Sequence, residues 1–323
     1  MAFPETRLRR LRQNSIIRDM VSETQVRVEQ LIMPYFVCPG NKVNNPIGSM
    51  PGVSQLSIDF LVEEVKTLVQ LGIKSILLFG IPESKDEHGL VACNSSAIVP
   101  KAIEAIKKEI KDIVIVADVC NCEYTTHGHC GTIVNGDVHN DLTLKTLMLQ
   151  STILVEAGAD IIAPSDMMDG HVKAIRQALD EKNYYNTIIM SYSAKYASGF
   201  YGPFRDAAQS APQFGDRKTY QMNPANSDEA IREIAEDIAE GADIVMVKPA
   251  LSYLDIIRRT KDTFNIPIAA YNVSGEYAMV KAAAQNGWID EIRITKEILT
   301  SIKRAGADII ITYHAKEIAK HLS

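Results

Sequence analysis

The chain has 323 residues, 46% of them hydrophobic and 23% charged, and a formal net charge of −6 at pH 7. That is ample apolar material for a core, and the acidic balance gives no general attraction to polyanions, so nucleic acid is excluded as an expected partner. No apolar run approaches the roughly 18 residues of a membrane span, and the N-terminus lacks the apolar core of a signal peptide, so neither a membrane nor secretion is expected.

Length alone leaves open two ordinary domains or one α/β barrel, which commonly exceeds about 250 residues as a single unit. Residues 1–30 carry Arg7, Arg9, Arg10 and Arg12 among scattered apolar positions with no strong period. Acidic Glu5, Asp19 and Glu23 disfavour a targeting peptide, and the segment reads as an arm that packs on a neighbouring subunit. From residue 31 a rhythm starts. A strand is predicted at 31–37, a loop rich in Gly, Pro and Asn at 39–52, a helix at 58–69 and a strand at 73–79. The alternation continues with helix 98–110, strand 113–117, helix 142–157, strand 160–163, helix 168–179 and strand 187–191. After an interruption come helix 228–240, strand 243–247, helix 251–264, strand 266–272, helices 277–286 and 291–305, and strand 308–312.

The phrase Ala-Gly-Ala-Asp-Ile-Ile stands at 157–162 and again at 305–310, and Gly-Ala-Asp-Ile-Val at 241–245. In each, a helix ends on Gly and turns into a buried strand, the αβ loop of a repeated unit. Eight short apolar strands separated by amphipathic helices predict an α/β fold, a (β/α)8 TIM barrel over 31–323. An open doubly wound sheet is the runner-up, but no G-x-G-x-x-G follows the first strand.

Such barrels carry their chemistry at the C-terminal ends of the strands. There the sequence offers Asp118, Cys120 and Cys122; Ser165 and Asp166; Ser191, Ser193 and Lys195; Lys248; Asn272 and Ser274; and Tyr313. Asp118, Cys120 and Cys122 fall at i, i+2 and i+4, and a chain curling back through Gly128 brings Cys130 to the same point. Three thiolates suit a soft, tetrahedral ion with a fourth position left for water or substrate, which is catalytic zinc chemistry. Reduced core cysteines plus one reactive thiol are the plainer reading. Five cysteines, an odd number with three crowded together, fit metal binding in a reducing compartment, and the cytoplasm is the expected location.

Lys248 ends a buried strand, where lost solvation lowers its pKa toward the free amine that attacks a carbonyl. Lys195 sits just past the adjacent strand, so two ammonium groups in one cavity are expected to depress each other further. A lysine that merely reaches the rim is the alternative for either. The interruption at about 197–227 has no predicted element of its own and reads as a lid over the barrel mouth. Arg205 and Arg217 lie in it, suited to clamp a substrate carboxylate.

These residues fall in motifs that resemble the porphobilinogen synthase (delta-aminolevulinic acid dehydratase) family from Arg7 almost to the C-terminus. The motifs are Arg9-Arg10-Leu11-Arg12; Asp118-x-Cys120-x-Cys122 with Thr126-His127-Gly128-His129-Cys130; Ala163-Pro164-Ser165-Asp166-Met167-Met168-Asp169-Gly170; Ser193-Ala194-Lys195-Tyr196; Tyr201-Gly202-Pro203-Phe204-Arg205; Gly215-Asp216-Arg217-Lys218; Met246-Val247-Lys248-Pro249; and Val273-Ser274-Gly275-Glu276-Tyr277. The resemblance implies condensation of two 5-aminolevulinate molecules to porphobilinogen with loss of two waters. Lys195 and Lys248 would each form a Schiff base with one substrate. Ser274 and Tyr313 would hold the carboxylate of the Lys248 substrate, and Arg205, Arg217 and Gln221 that of the other.

In the same way, zinc on Cys120, Cys122 and Cys130 would act as Lewis acid at the Lys195 substrate, with Asp118 orienting ligands or relaying protons and Ser165 nearby. Glu233 matches the residue that holds an allosteric magnesium ion in bacterial members, although a solvated helix charge reads equally well there. Thr219 stands where animal members can carry a cysteine of a second zinc site, which puts that site in doubt despite His127 and His129. A homo-octamer is implied, its arms embracing neighbouring barrels. Two rivals remain: another lysine Schiff-base aldolase, which has no need of three cysteines, and a non-catalytic zinc-binding barrel, which has no need of two lysines and two lid arginines.

Overall fold

Eight short apolar runs form parallel strands that close on one another in a computed structural model describing residues 2–322. They are β1 (Leu31–Val37), β2 (Ser75–Gly80), β3 (Val114–Val119), β4 (Ile161–Pro164), β5 (Ile188–Lys195), β6 (Ile244–Lys248), β7 (Ile268–Asn272) and β8 (Ile309–Thr312). Each pairs in parallel with the next, and β8 returns to β1 through Leu31↔Ile310 and Ile32↔Ile311. The closure makes the predicted (β/α)8 barrel. The outer limits assigned to arm and barrel, Met1 and Ser323, lie outside the described residues.

Helices α1 (Ile58–Gln70), α2 (Ile98–Glu109), α3 (Asn140–Glu156), α4 (His171–Glu181), α5 (Asp228–Glu240), α6 (Leu254–Thr263), α7 (Ser274–Gln285) and α8 (Glu291–Ala305) fill the crossovers. In α1 the inward stripe is Leu61, Val62, Val65 and Leu68, at i, i+1, i+4 and i+7 on one helix face. The repeated Gly-Ala-Asp phrase has a physical role. Gly241 and Gly306 end their helices at φ 106° and 128°, a region that favours glycine. The Asp that follows caps the neighbouring strand: Asp160 accepts from Ile115 N at 2.7 Å, Asp243 from Ile189 N at 2.8 Å and Asp308 from Ile268 N at 3.1 Å.

Two apolar clusters divide along the strand pleat. Ile32, Phe36, Leu77, Phe79, Val116, Tyr192, Met246 and Tyr271 face one another in the barrel interior. Leu31, Met33, Ile76, Ile115, Val245 and Ile310 pack outward with the helices. Side chains alternate with a period of two, so each strand should keep its phase throughout.

β5 does not. It pairs with β6 as Met190↔Ile244 and Ser191↔Val245, then as Ala194↔Val247 and Lys195↔Lys248. Tyr192 and Ser193 together therefore face Met246 alone, which is a β-bulge. Met190 and Tyr192 point inward before it and Ala194 outward after it.

Four local expectations are corrected. β5 runs to Lys195 instead of ending at 191, because residues 192–195 are buried and paired with β6. The 39–52 loop and its flank hold a short antiparallel pair, Asn44–Pro46 with Ser54–Leu56, the second strand lying on β1. A second small hairpin, Ile133–Val134 with Asp137–Val138, follows the cysteines. The 197–227 segment is not without elements: it contains a 3-10 turn, Gly199–Tyr201, and a helix, Gly202–Ala207. In the N-terminal segment a 3-10 turn, Leu8–Arg12, and a helix, Ser15–Met20, stand away from the barrel, and no described residue before Val26 is buried.

Candidate active site

β5 and β6 end side by side in Lys195 and Lys248, which are Cα partners and only 4% and 5% exposed. Lys248 follows the inward phase of Met246, and the bulge gives Lys195 the same phase. The Lys248 ammonium lies in a ring cage: 4.6 Å from the centroid of Tyr271, 4.9 Å from Tyr192 and 5.2 Å from Tyr201 and Phe204. Burial, helped by the charge on Lys195, pushes the Lys248 pKa down to about 7. Mutual depression does not extend to Lys195. Burial lowers it too, but the cysteine cluster, Cys130 with its thiolate first, outweighs that and leaves it above its ordinary value. Lys195 Nζ also donates to the Ser165 carbonyl.

The three cysteines meet as expected, by a different path. The strand stops at Val119 and the chain turns at Asn121, whose carbonyl accepts from the backbone N–H of both Tyr124 and Thr125. This brings Cys120 Sγ to 3.3 Å from Cys122 Sγ, closer than an extended i, i+2 pair allows. Gly128 turns the chain back at φ 71°, and Cys130 joins them; the ligand atoms of all three lie within 4.8 Å of one another and all are buried. A tetrahedral ion with bonds of about 2.3 Å to sulfur needs sulfurs roughly 3.8 Å apart, so this cluster fits a soft metal. Hydrogen bonding from Cys120 and Cys122, and then the charges of Arg217 and Lys195, favour the thiolate of Cys130, the form that binds metal, against its burial.

Asp118 closes this side. Burial and the charge of Glu123 raise its carboxyl to about 7, against the pull of Lys195 and Lys248. Its Oδ2 accepts from Ser165 Oγ at 3.2 Å, while Oδ1 is buried with no protein partner. Glu123, buried beside Cys122, was not singled out from the sequence, nor was Phe79; both line the same pocket as Tyr201 and Phe204 of the lid motif. For Phe79 the available signal was the inward phase of its position on β2.

The lid brings the remaining polar groups. Arg217 Nη2 donates to Gly128 O at 2.9 Å and Ser210 O at 2.6 Å, which ties lid to cysteine loop. Gln213 N to His127 O at 3.0 Å and His129 Nε2 to Phe214 O at 3.0 Å add to the seam. Arg205 Nε, Arg217 Nε and both amide atoms of Gln221 are buried without a protein partner. Such groups are costly unless something pairs them, and here they converge on one mouth. On the far side Ser274 Oγ accepts from Phe204 N at 3.0 Å, and Tyr313 OH accepts from Tyr271 OH at 3.0 Å, so both adjoin the cage around Lys248.

Three other candidates separate from this site. Glu233 is half-buried in a cavity of about 990 Å³ that Asp169, Glu229, Glu236, Asp237 and Glu240 also line. Burial and the neighbouring carboxylates Asp169 and Asp237 raise its pKa to about 7. His129 spends both ring nitrogens on Tyr220 and Phe214, His127 bonds Glu87 O, and Thr219 bonds Asp137, so these three form no ligand set. Glu291, His314 and Glu317 come close enough for an ion, but Lys281 already holds both carboxylates at 2.5 and 2.6 Å.

Comparison with known proteins gives one answer. The pattern of the delta-aminolevulinic acid dehydratase family matches residues 5–321. The delta-aminolevulinic acid dehydratase of a Synechocystis species is 58% identical over 324 residues, covering 99% of both chains. The enzyme of the same name from Bacillus subtilis is 56% identical over 317 residues, covering 98% of each. A crystal structure of the Toxoplasma gondii enzyme, in complex with its reaction product porphobilinogen, superposes with a TM-score of 0.96 at 46% identity, covering 98% of this chain and 91% of that one.

Proposed function

The chain belongs to the delta-aminolevulinic acid dehydratase family, and we propose on that premise how its own residues condense two molecules of 5-aminolevulinate to porphobilinogen, a step of tetrapyrrole biosynthesis. The observation that carries the reading is the pair of buried, adjacent lysines facing one cavity. Two ketones condense with loss of two waters, and an amine that forms a Schiff base releases the carbonyl oxygen as one water. Lys248, with a pKa near 7, has free amine at neutral pH and attacks the first ketone. The rings around it exclude water and stabilise the iminium charge that follows. Ser274 and Tyr313 hold that substrate's carboxylate.

Lys195 binds the second ketone once its proton has passed on, and Asp118, poised near pH 7 with one oxygen unpaired, is suited to accept it. Ser165 orients Asp118 through its hydroxyl. Arg205, Arg217 and Gln221, with unpaired atoms at the mouth, clamp the second carboxylate, and the 197–227 lid closes with them. We assign Cys120, Cys122 and Cys130 as ligands of a zinc ion, which when bound supplies Lewis acidity beside the Lys195 substrate.

Beyond the reaction, Glu233 in its acidic cavity is assigned to an allosteric magnesium ion, a metal that uses few carboxylates and keeps its waters. The exposed Leu8, Ile16 and Met20 of the arm suit burial against neighbouring subunits, and a homo-octamer is the assembly proposed. A cluster of reduced thiols fits the cytoplasm; among the described residues no helix is long and apolar enough to cross a membrane. The test is porphobilinogen formation from 5-aminolevulinate by wild type, Lys248→Met and Lys195→Met, with and without a chelator. Activity surviving either lysine change overturns the two-lysine mechanism, and activity unmoved by complete zinc removal demotes the cysteines to structure.

A further inference from the structure

A buried charged cluster lies outside the barrel wall, on the far side of β5 from the reacting groups. His171, at the start of α4, places Nδ1 at 3.0 and 3.1 Å from the two Asp166 oxygens and Nε2 at 3.1 Å from Ser191 Oγ. Nε2 also faces Asp237 Oδ1 of α5 at 3.6 Å. Ser191 Oγ donates to Asp237 Oδ2 at 2.6 Å, and the Ser193 hydroxyl, near the same carboxylate, donates to Ser191 O at 3.3 Å. Every member is buried. Burial opposes a charge on His171, but Asp166 and then Asp237 outweigh it and hold the ring protonated, so both nitrogens donate.

The position of this cluster in the fold gives it a use. Ser191 and Ser193 flank Tyr192 at the β-bulge, the step that turns Lys195 inward. In an unbulged register Ser193 would pair with Val247 and Ala194 with Lys248; Ala194 would then face the interior and Lys195 the helices. Bulges are the device by which strands re-aim a side chain, and one must be held to persist against the regular ladder. Asp237 grips the bulge from α5 through Ser191, to whose carbonyl the Ser193 hydroxyl is tied. His171 joins that grip to Asp166, the residue after Ser165, whose carbonyl accepts the Lys195 ammonium. Lys248 stands on β6, touches none of these groups and serves as an internal reference.

We propose that Asp237 and His171 are positioning residues that clamp the β5 bulge and so aim Lys195, but not Lys248, into the site. The inference rests on the reading above that each lysine forms a Schiff base. It is tested by borohydride trapping with 5-aminolevulinate, followed by digestion and mass spectrometry that quantifies the adduct at each lysine. In Asp237→Asn the Lys195 adduct should fall at least tenfold relative to the Lys248 adduct, which itself reports an intact fold. The Ser191→Ala, Ser193→Ala double variant removes only two hydroxyls and should shift the ratio the same way; it decides the matter if Asp237→Asn does not fold. Adducts that fall together, or a ratio unchanged from wild type, overturn the clamp alone. Wild-type protein trapped at neither lysine, or never at Lys195, overturns the two-lysine reading and the clamp with it.

Discussion

Replacing Lys248 by Met should stabilise the protein while abolishing catalysis. Met is close in length and carries no charge, so the exchange removes the cost of keeping an amine where an ammonium is disfavoured. Folding takes the Lys248 pKa from its ordinary 10.5 to about 7. Between those values the unfolded chain binds more protons than the folded one, so this lysine makes wild-type stability rise with pH across that window. Its destabilisation is complete below pH 7 and gone above 10.5. At about 1.4 kcal/mol per tenfold change in proton affinity, the ceiling is roughly 5 kcal/mol in acid and about 4 kcal/mol at pH 7. The ring cage favours the ammonium by about 1–2 kcal/mol, and Asp118 loses a counter-charge, so a gain of about 2–3 kcal/mol at pH 7 is expected. Urea unfolding of both proteins at equal metal load, at pH 6, 7.5 and 9.5, measures it. The gain should shrink to roughly one third by pH 9.5. A variant less stable than wild type at pH 7, or a difference independent of pH, refutes the account of how the amine is made.

Arg205→Ala should raise KM for 5-aminolevulinate by about 10- to 100-fold, the loss of one charge-assisted contact worth roughly 1.5–3 kcal/mol; steady-state kinetics decide it, and an unchanged KM removes Arg205 from the clamp. Cys130→Ser should bring zinc content, measured by plasma mass spectrometry, from about one ion per chain to near zero, whereas retained zinc would place the ion elsewhere. Glu233→Gln should raise the magnesium concentration for half-maximal activation by at least about tenfold, and an unaltered activation curve returns Glu233 to the solvated surface. Deleting residues 2–25, which contribute nothing to the barrel core, should lower the mass seen by light scattering below that of an octamer; an unchanged mass takes the arm out of the assembly.

The barrel was legible because its signals are local and redundant. Each strand is an apolar run, helices such as α1 and α8 have an apolar stripe, and three crossovers repeat Gly-Ala-Asp. What was missed lacks such a signal. The hairpin at 44–46 and 54–56 buries only Leu56 and has no apolar alternation to announce it. The Gly202–Ala207 helix opens on Gly-Pro inside a stretch dense in turn formers, and it persists because Pro near a helix start costs little. The cysteines were found by proximity in sequence, yet the geometry that unites them is a turn at Asn121 and not the strand period that drew attention to them.

The lysines set the boundary more sharply, because two long-range facts decide their chemistry and neither is written in residue types nearby. The first is direction. Ser191, Ser193 and Lys195 share parity, so an unbroken pleat would put all three on the helix side with the outward-facing Ile189. Only a register shift against β6 separates the lysine from the serines, and it is visible only once β5 has a partner. The second is charge. Two ammonium groups side by side imply two depressed lysines, but a pKa reports the sum over all neighbours. Lys195 sits against a cysteine cluster, with Cys130 as its thiolate, from a loop beyond β3, and Lys248 sits among uncharged rings. One barrel mouth thus holds a lysine whose pKa is pushed down to about 7 beside one whose pKa is raised. On the two-lysine proposal that asymmetry would let a single site treat two identical substrate molecules differently, and it arises from where β3 and β5 end in space.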